Sequence, residues 1–196
     1  MQQFTDRQIE IMEAATSRIA KYGIQNLTIK TLAEDIGLSE PALYRHFNSK
    51  NEILQCILEY FKMEMKNRIQ GIVQKKGSSA RDEIRAIFNS QLQAFVRKPA
   101  VISVIFAEGI FHFDEGLTRQ VSELMDMMQG FIKANIARGQ ANGEYSRLVA
   151  ASVLTTIIIG GMRITVLKWK LSGHSSNLLK DGMAVLDGVL KMINKE

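Results

Sequence analysis

Apolar residues recur along this chain in steps of three and four, the period of an α-helix. Nowhere do they alternate in the two-residue rhythm of a strand over a useful length. Ile9, Met12, Ala15 and Ile19 define a first stripe. Thr5-Asp6-Arg7-Gln8 has the form of a capping box and Gly23 closes the pattern, which predicts a helix from Asp6. Thr28 is a natural N-cap for a second helix from Ile29 to Ile36, with Leu32, Ala33 and Ile36 inward, and Gly37 follows where a tight turn favours positive φ. Ser39 then caps a short helix from Glu40 to Phe47, with Pro41 in the first turn, where a missing N–H costs nothing. Ser49-Lys50-Asn51-Glu52 is a second capping box, opening a fourth helix that runs to about Val73. After the polar connection Lys75 to Ser79, five more helices are predicted: Ala80 to Arg97, Ala100 to Phe111, Leu117 to Gln140, Ser146 to Leu171 and Asn177 to Asn194. The expected fold is all-α, about nine helices, with an N-terminal three-helix domain over residues 1–50 and a larger helical domain over 51–196.

Two short helices joined across Gly37-Leu38 have the spacing of a helix-turn-helix. In the second of them Leu43 and Phe47 lie four apart and share a face. Pro41, Ala42, Tyr44 and Arg45 spread over the opposite face, with His46 at its flank. A helix of about two turns that exposes a tyrosine and an arginine suits entry into a major groove. Thr28 and Lys50 stand at the starts of the flanking helices, where free N–H groups and the helix dipole favour phosphate.

Composition changes this picture little. Hydrophobic residues at 46% and charged residues at 23% are ordinary for a soluble globular protein. A single cysteine, Cys56, forms no intrachain disulfide and fits a reducing, cytoplasmic compartment; the first ten residues lack the apolar core of a signal peptide. Leu148 to Met162 is nearly free of charge, but Arg147 and Arg163 bracket a run shorter than the roughly 20 apolar residues of a spanning helix. A buried helix, with no membrane partner, is therefore expected. The net charge of +5 permits an anionic partner, yet residues 1–50 hold six Lys/Arg and six Asp/Glu, while residues 51–100 hold nine against five. DNA binding must rest on geometry rather than bulk charge.

The stretch from Leu27 to Lys50, with the core Leu43-Tyr44-Arg45-His46-Phe47 followed by Ser49-Lys50, resembles the DNA-binding domain of the TetR family of bacterial transcriptional regulators. The resemblance covers about residues 5–60; beyond it only length and helix count agree. It implies that Tyr44, His46, Lys50 and Thr28 contact phosphates and that Ser39, Glu40, Pro41, Ala42 and Arg45 supply base or groove contacts. Glu40 is repelled by phosphate but can accept from cytosine N4; alternatively it only stabilises its helix N-terminus. The resemblance further implies a homodimer, probing double-stranded DNA at a palindromic operator, and a repressor released by a small effector.

In the C-terminal domain Phe61 and Met65, then Phe88, Leu92 and Phe95, then Phe106, Ile110 and Phe111, then Met125, Met128 and Phe131 form apolar stripes. Such stripes are ordinarily core. The resemblance implies a ligand site among them, for which Phe61, Met65, Phe88, Leu92, Phe95, Phe106, Ile110 and Met128 are the candidates. Few charges lie on these stripes, so the ligand is expected to be apolar or amphipathic, with Glu108, His112, Thr155 or Thr156 available for a polar group. The last helix has a wide apolar arc: Leu179, Met183, Leu186, Leu190 and Ile193, with Gly182, Val185 and Val189 beside it. The helix before it carries Gly160-Gly161. The resemblance implies that these two helices pair with their copies, through Gly160, Gly161, Ile164, Gly182, Leu186 and Val189.

Enzyme chemistry finds no support. The histidines His46, His112 and His174 are far apart, and His112-Phe113-Asp114-Glu115 lacks the i, i+4 spacing and companion cluster of a metal site. Cys56 sits mid-helix among apolar residues, and no phosphate loop or dinucleotide fingerprint occurs. No catalytic residue, metal or cofactor is expected. The rival reading is a ligand-binding or scaffold protein whose helix-turn-helix no longer binds DNA.

Overall fold

A computed structural model describes residues 4–74, 77–106 and 114–194. Nine α-helices lie among them: α1 (Asp6–Tyr22), α2 (Ile29–Asp35), α3 (Glu40–Tyr44), α4 (Lys50–Val73), α5 (Ala80–Arg97), α6 (Pro99–Ile105), α7 (Glu115–Ala141), α8 (Ala151–Leu171) and α9 (Leu178–Ile193). A 3-10 turn over Ile24–Asn26 links α1 to α2, and the described residues contain no strand. The chain divides into two compact units. One comprises Met1–Glu64 with Lys98–Leu124, the other Met65–Arg97 with Met125–Glu196.

In the first unit α1 packs on α2 and α6, and α2 on α3. Ile11, Met12, Ala15 and Ile19 are the buried stripe of α1; Ile9, expected inward, is only half-buried, because Ile11 takes the inner position. Leu27, Leu32, Ala33, Leu43 and Phe47 are buried, as are Ile53, Leu54, Ile57 and Leu58 of α4. Each fully buried Leu, Ile or Phe contributes roughly 1.5–3 kcal/mol. The caps are those the pattern predicts at α1, where Thr5 and Gln8 exchange bonds, and at Gly23, with φ 80°. At α4 the predicted box is displaced: Glu52 N–H donates to Ser49 Oγ, but the Glu52 carboxylate accepts from Asn48 N–H rather than from Ser49.

In the second unit α9 packs against α8 and α5. Leu154, Ile158, Met162, Val166 and Trp169 of α8 are buried, as are Leu178, Leu186, Val189, Leu190 and Ile193 of α9. By length and composition α8 passes for a membrane span; its long buried side against α9 is the form of a core helix packed on one face. Its start is a correction. The helix begins at Ala151, five residues after the predicted Ser146, because Ser146 N–H donates to Ile193 O and Arg147 turns back to Gln140 O. Those bonds hold residues 145–150 in a non-helical connection that caps the carbonyls of α7. Tyr145 is buried there, and a Cβ on Gly139 would lie 2.3 Å from its ring. Glu83, 5% exposed, accepts from Asn135 Nδ2 at 3.1 Å and pairs with Arg138 at 2.9 Å.

α6 ends at Ile105, where Phe106 N–H donates to Ile102 O; the predicted end of the sixth helix at Phe111 lies outside the described residues, as do Glu108, Ile110 and His112.

Candidate nucleic-acid interface

The reading head is built by α2, its turn and α3. Thr28 Oγ1 accepts from Thr31 N–H at 3.1 Å, and Thr31 Oγ1 accepts in return from Thr28 N–H at 3.1 Å, which fixes the start of α2. Gly37 takes φ 65°, and Leu38 N–H reaches back to Ala33 O at 2.9 Å. A side chain at position 37 would be strained in that left-handed conformation. Ser39 Oγ then accepts from Ala42 N–H at 3.3 Å, so α3 departs in a defined direction.

Leu43 and Phe47 are almost wholly buried and anchor α3. Tyr44 is 48% exposed, and Ser39, Glu40, Pro41 and Arg45 are exposed with it, while Ala42 and His46 are half-buried. The predicted division of α3 into an inward and an outward face therefore holds. Its length does not: α3 ends at Tyr44 rather than Phe47. Leu43 O accepts from both His46 N–H and Phe47 N–H, tightening the last three residues into a turn. Past this end Arg45 stays exposed and His46 is half-buried. The carbonyl of His46 is steadied by Gln8 Nε2 at 3.4 Å.

Lys50 has an additional partner. Its ammonium donates to Ile24 O at 2.9 Å, and partial burial lowers its pKa from the ordinary lysine value. An ammonium has three donors, so two remain for a phosphate while the third ties α4 to the turn before α2.

Two positioning groups were not visible in the local sequence. Arg18 donates from Nε to Asn26 O at 3.0 Å and from Nη1 to Thr31 O at 3.3 Å, and pairs with Asp35 at 2.7 Å. One guanidinium thus pins both ends of α2 to α1. Asp114 accepts from Leu117 N–H at 2.8 Å, capping α7, and also from Asn51 Nδ2 at 2.7 Å and Gln55 Nε2 at 3.2 Å on α4. The backbone bond from Leu117, with help from these amides, holds its carboxyl below the usual aspartate range. Pairings that span seventeen to sixty-three residues leave no periodic mark in a sequence. Cys56, by contrast, is half-buried, and its thiol is pushed up to about 11, chiefly by desolvation with Glu52 and Glu59 adding to it. Such a thiol is a poor nucleophile. Among the described residues no three His, Cys, Asp or Glu side chains gather in a form that holds a metal.

The ligand and dimer candidates are scattered differently. Phe61 and Phe106 belong to the first unit; Met65, Phe88, Leu92, Phe95 and Met128 are buried in the second. Gly182 is buried where a Cβ would meet Leu92 Cδ1 at 2.5 Å, and Leu186 and Val189 are buried with it, so these three serve the chain's own interior. The outward face consists instead of Val153, Ile157, Gly160 and Ile164 on α8 with Val185, Gly188 and Met192 on α9. Gly161 sits between, under the Val185 side chain.

Residues 11–57 match the family of bacterial regulatory proteins of the tetR type. The nucleoid occlusion factor SlmA of Vibrio campbellii is 24% identical over 156 residues, 76% of this chain and 79% of that protein. The SlmA of Idiomarina loihiensis is 26% identical over 159 residues, 81% and 80% of the two chains. Among solved structures, the ketosteroid transcriptional regulator KstR2 of Mycobacterium tuberculosis superposes with a TM-score of 0.81 at 20% identity, covering 99% of this chain and 98% of that one. The regulator FadR of Bacillus subtilis, in complex with stearoyl-CoA, gives 0.78 at 17% identity, covering 95% and 99%. The fold is shared along nearly the whole chain, and the segment that builds the helix-turn-helix, residues 11–57, matches the bacterial regulatory proteins of the tetR family.

Proposed function

We propose that this protein is a homodimeric transcriptional repressor that leaves a palindromic operator when a small apolar or amphipathic ligand binds. The observation that carries the reading is the outward face of α3: Tyr44 and Arg45 stand exposed on a helix anchored from behind by Leu43 and Phe47. Tyr44, His46, Thr28 and the free donors of Lys50 are assigned to phosphate. Ser39, Glu40, Pro41, Ala42 and Arg45 are assigned to the groove. The division of labour between residues 1–50 and 51–196 is part of the same proposal.

Dimerisation is assigned to the outward face of α8 and α9. Val153, Ile157 and Ile164 are each about half exposed and Met192 is 76% exposed, an apolar surface that a second copy would cover. Gly160 and Gly188 have open space at their Cα atoms, which allows close approach of a partner helix. For the ligand, the apolar side chains Met65, Phe88, Leu92, Phe95 and Met128 of the second unit are the candidates. That a structural relative was solved with stearoyl-CoA supports an amphipathic molecule.

The test is equilibrium binding to duplexes enriched from a random pool, with and without candidate ligands. A ligand that favours the non-binding form by about 3 kcal/mol weakens DNA affinity roughly 150-fold. Tyr44→Ala should weaken binding with little change of preference, whereas Arg45→Ala should relax preference at one position by about 1–3 kcal/mol. Parent-like binding by both variants would refute the assignment of the α3 face.

A further inference from the structure

Duplex binding draws most of its non-specific strength from neutralised phosphates. Residues 1–50, which hold the reading head, carry six cations against six carboxylates. Three cations on α4, on α5 and at the cap of α6 are committed within the chain: Lys62 pairs with Glu123 at 2.6 Å, Lys98 with Glu64 at 2.7 Å, and Arg85 with Asp187.

A second cationic region lies later in the chain. Between Glu144 and Asp181 the chain has no Asp or Glu, but it holds Arg147, Arg163, Lys168, Lys170, His174 and Lys180. Four of these stand at the turn between α8 and α9. Lys168 and Lys170 lie in the last turn of α8, His174 in the connection and Lys180 in the first turn of α9. No ion pair among the described residues engages the three lysines. Cations at the C-terminus of α8 also complement that helix dipole, so Lys168 and Lys170 have a local reason to be there. Lys180 has the opposite circumstance: it faces the positive end of α9, where an ammonium is disfavoured.

The turn itself is fixed. Gly173 and His174 both adopt left-handed backbone, with φ 64° and 66°, an arrangement that costs a non-glycine residue on the order of 1–2 kcal/mol. His174 N–H donates to Trp169 O at 2.9 Å, Ser172 Oγ donates to the same carbonyl at 2.8 Å, and the His174 ring lies 4.2 Å from that of Trp169. This strained but well-bonded turn joins the helix ends that carry the lysines, of which Lys168 and Lys180 are exposed and Lys170 is half-buried.

We propose that the α8–α9 turn is a second phosphate-contacting surface, meeting the backbone of duplex DNA through Lys168, Lys170 and Lys180 without reading sequence. The proposal rests on the DNA-binding reading above. Lysine is the fitting residue for it, a point charge that attracts phosphate without the planar fork that reads a base edge. Duplex DNA is the polyanion favoured because the N-terminal segment matches a DNA-binding regulator family while supplying no net positive charge of its own.

The experiment measures affinity of the full-length protein for a random-sequence duplex and for an enriched duplex as salt is raised. Three proteins are compared: the parent, the triple variant K168Q/K170Q/K180Q, and a control, K66Q/K133Q/K191Q, that removes the same charge from exposed lysines elsewhere. The expected result is a slope of log affinity against log salt that falls by roughly 2–3 per protomer in the turn variant, an unchanged preferred sequence, and a clearly smaller change in the control. Equal slopes in parent and turn variant overturn the proposal, and so do equal changes in turn variant and control. Loss of binding to phosphatidylglycerol vesicles with an unchanged duplex slope also overturns it, and assigns the turn to lipid instead. A parent that binds no duplex sinks the DNA-binding reading itself, whereas a parent that binds with a turn variant of identical slope sinks only this inference. Should the triple variant lose helical circular dichroism, K180Q alone, with an expected slope change of about one, decides.

Discussion

In residues 28–50 the side chains proposed to meet DNA are exposed, and buried ones anchor the segment that carries them. In α4, α5 and α7 the candidate ligand residues are themselves the core, and on α8 and α9 the exposed side chains form an apolar face. The first arrangement puts the functional residues on one short segment, where Leu43 and Phe47 fix what Tyr44 and Arg45 present. The second spreads them over several helices, so that each is indistinguishable from packing until a ligand is bound. The contrast teaches where substitutions separate function from stability: cleanly at the surface of α3, poorly inside the second unit.

The largest effect that probes this contrast is Leu43→Ala. Leu43 is fully buried beneath the reading face, so truncation should cost about 2–5 kcal/mol in urea unfolding while leaving every groove-facing atom in place. Unchanged stability would mean that α3 is not anchored as described. Next is Gly139→Ala. Alanine is intrinsically better than glycine in a helix by about 1 kcal/mol. Here, however, its Cβ would fall 2.3 Å from the Tyr145 ring, and the overpacking should win by about 1–3 kcal/mol. Thermal unfolding decides the sign, and a stabilised variant would place Tyr145 elsewhere. DNA affinity per folded molecule should not change.

The smallest effect belongs to Asp114, whose carboxyl is held below its ordinary value of 3.8. A depressed carboxylate contributes stability above its unfolded pKa and loses it as pH falls through the folded one. Acid unfolding of the parent should therefore include a contribution from Asp114 that is present at neutral pH and disappears below about 3.8. Asp114→Asn, which keeps a capping side chain, should lack that component; identical acid profiles would remove the charge from the account.

Much of the fold was legible because helix starts and stops are local. Thr5, Thr28, Ser39, Gly23 and Gly37 each act on residues within five positions, and each does what its type predicts. The start of α8 was misread because apolar periodicity continues back through Leu148 and Val149, while the bonds that hold this stretch out of the helix come from Ile193 and Gln140. The outward face of α3 was legible from one i, i+4 pair, but Arg18 and Asp114, which hold α2 and α4 in place, act across long sequence separations. On α9 the predicted arc holds at Leu186, Leu190 and Ile193, which are buried, but Leu179 and Met183 are only half-buried. Leu178 rather than Leu179 turns inward, which carries Gly182 and Leu186 into the interior and brings Val185 and Met192 out.

Selection of bound duplexes from a random pool, followed by hydroxyl-radical footprinting of the enriched site, tests the central claim most directly. Two copies of an outward α3 predict an enriched sequence with dyad symmetry and two protected half-sites about 34–36 Å apart along one face of the duplex. No enriched sequence, or one protected segment without a dyad, would contradict it.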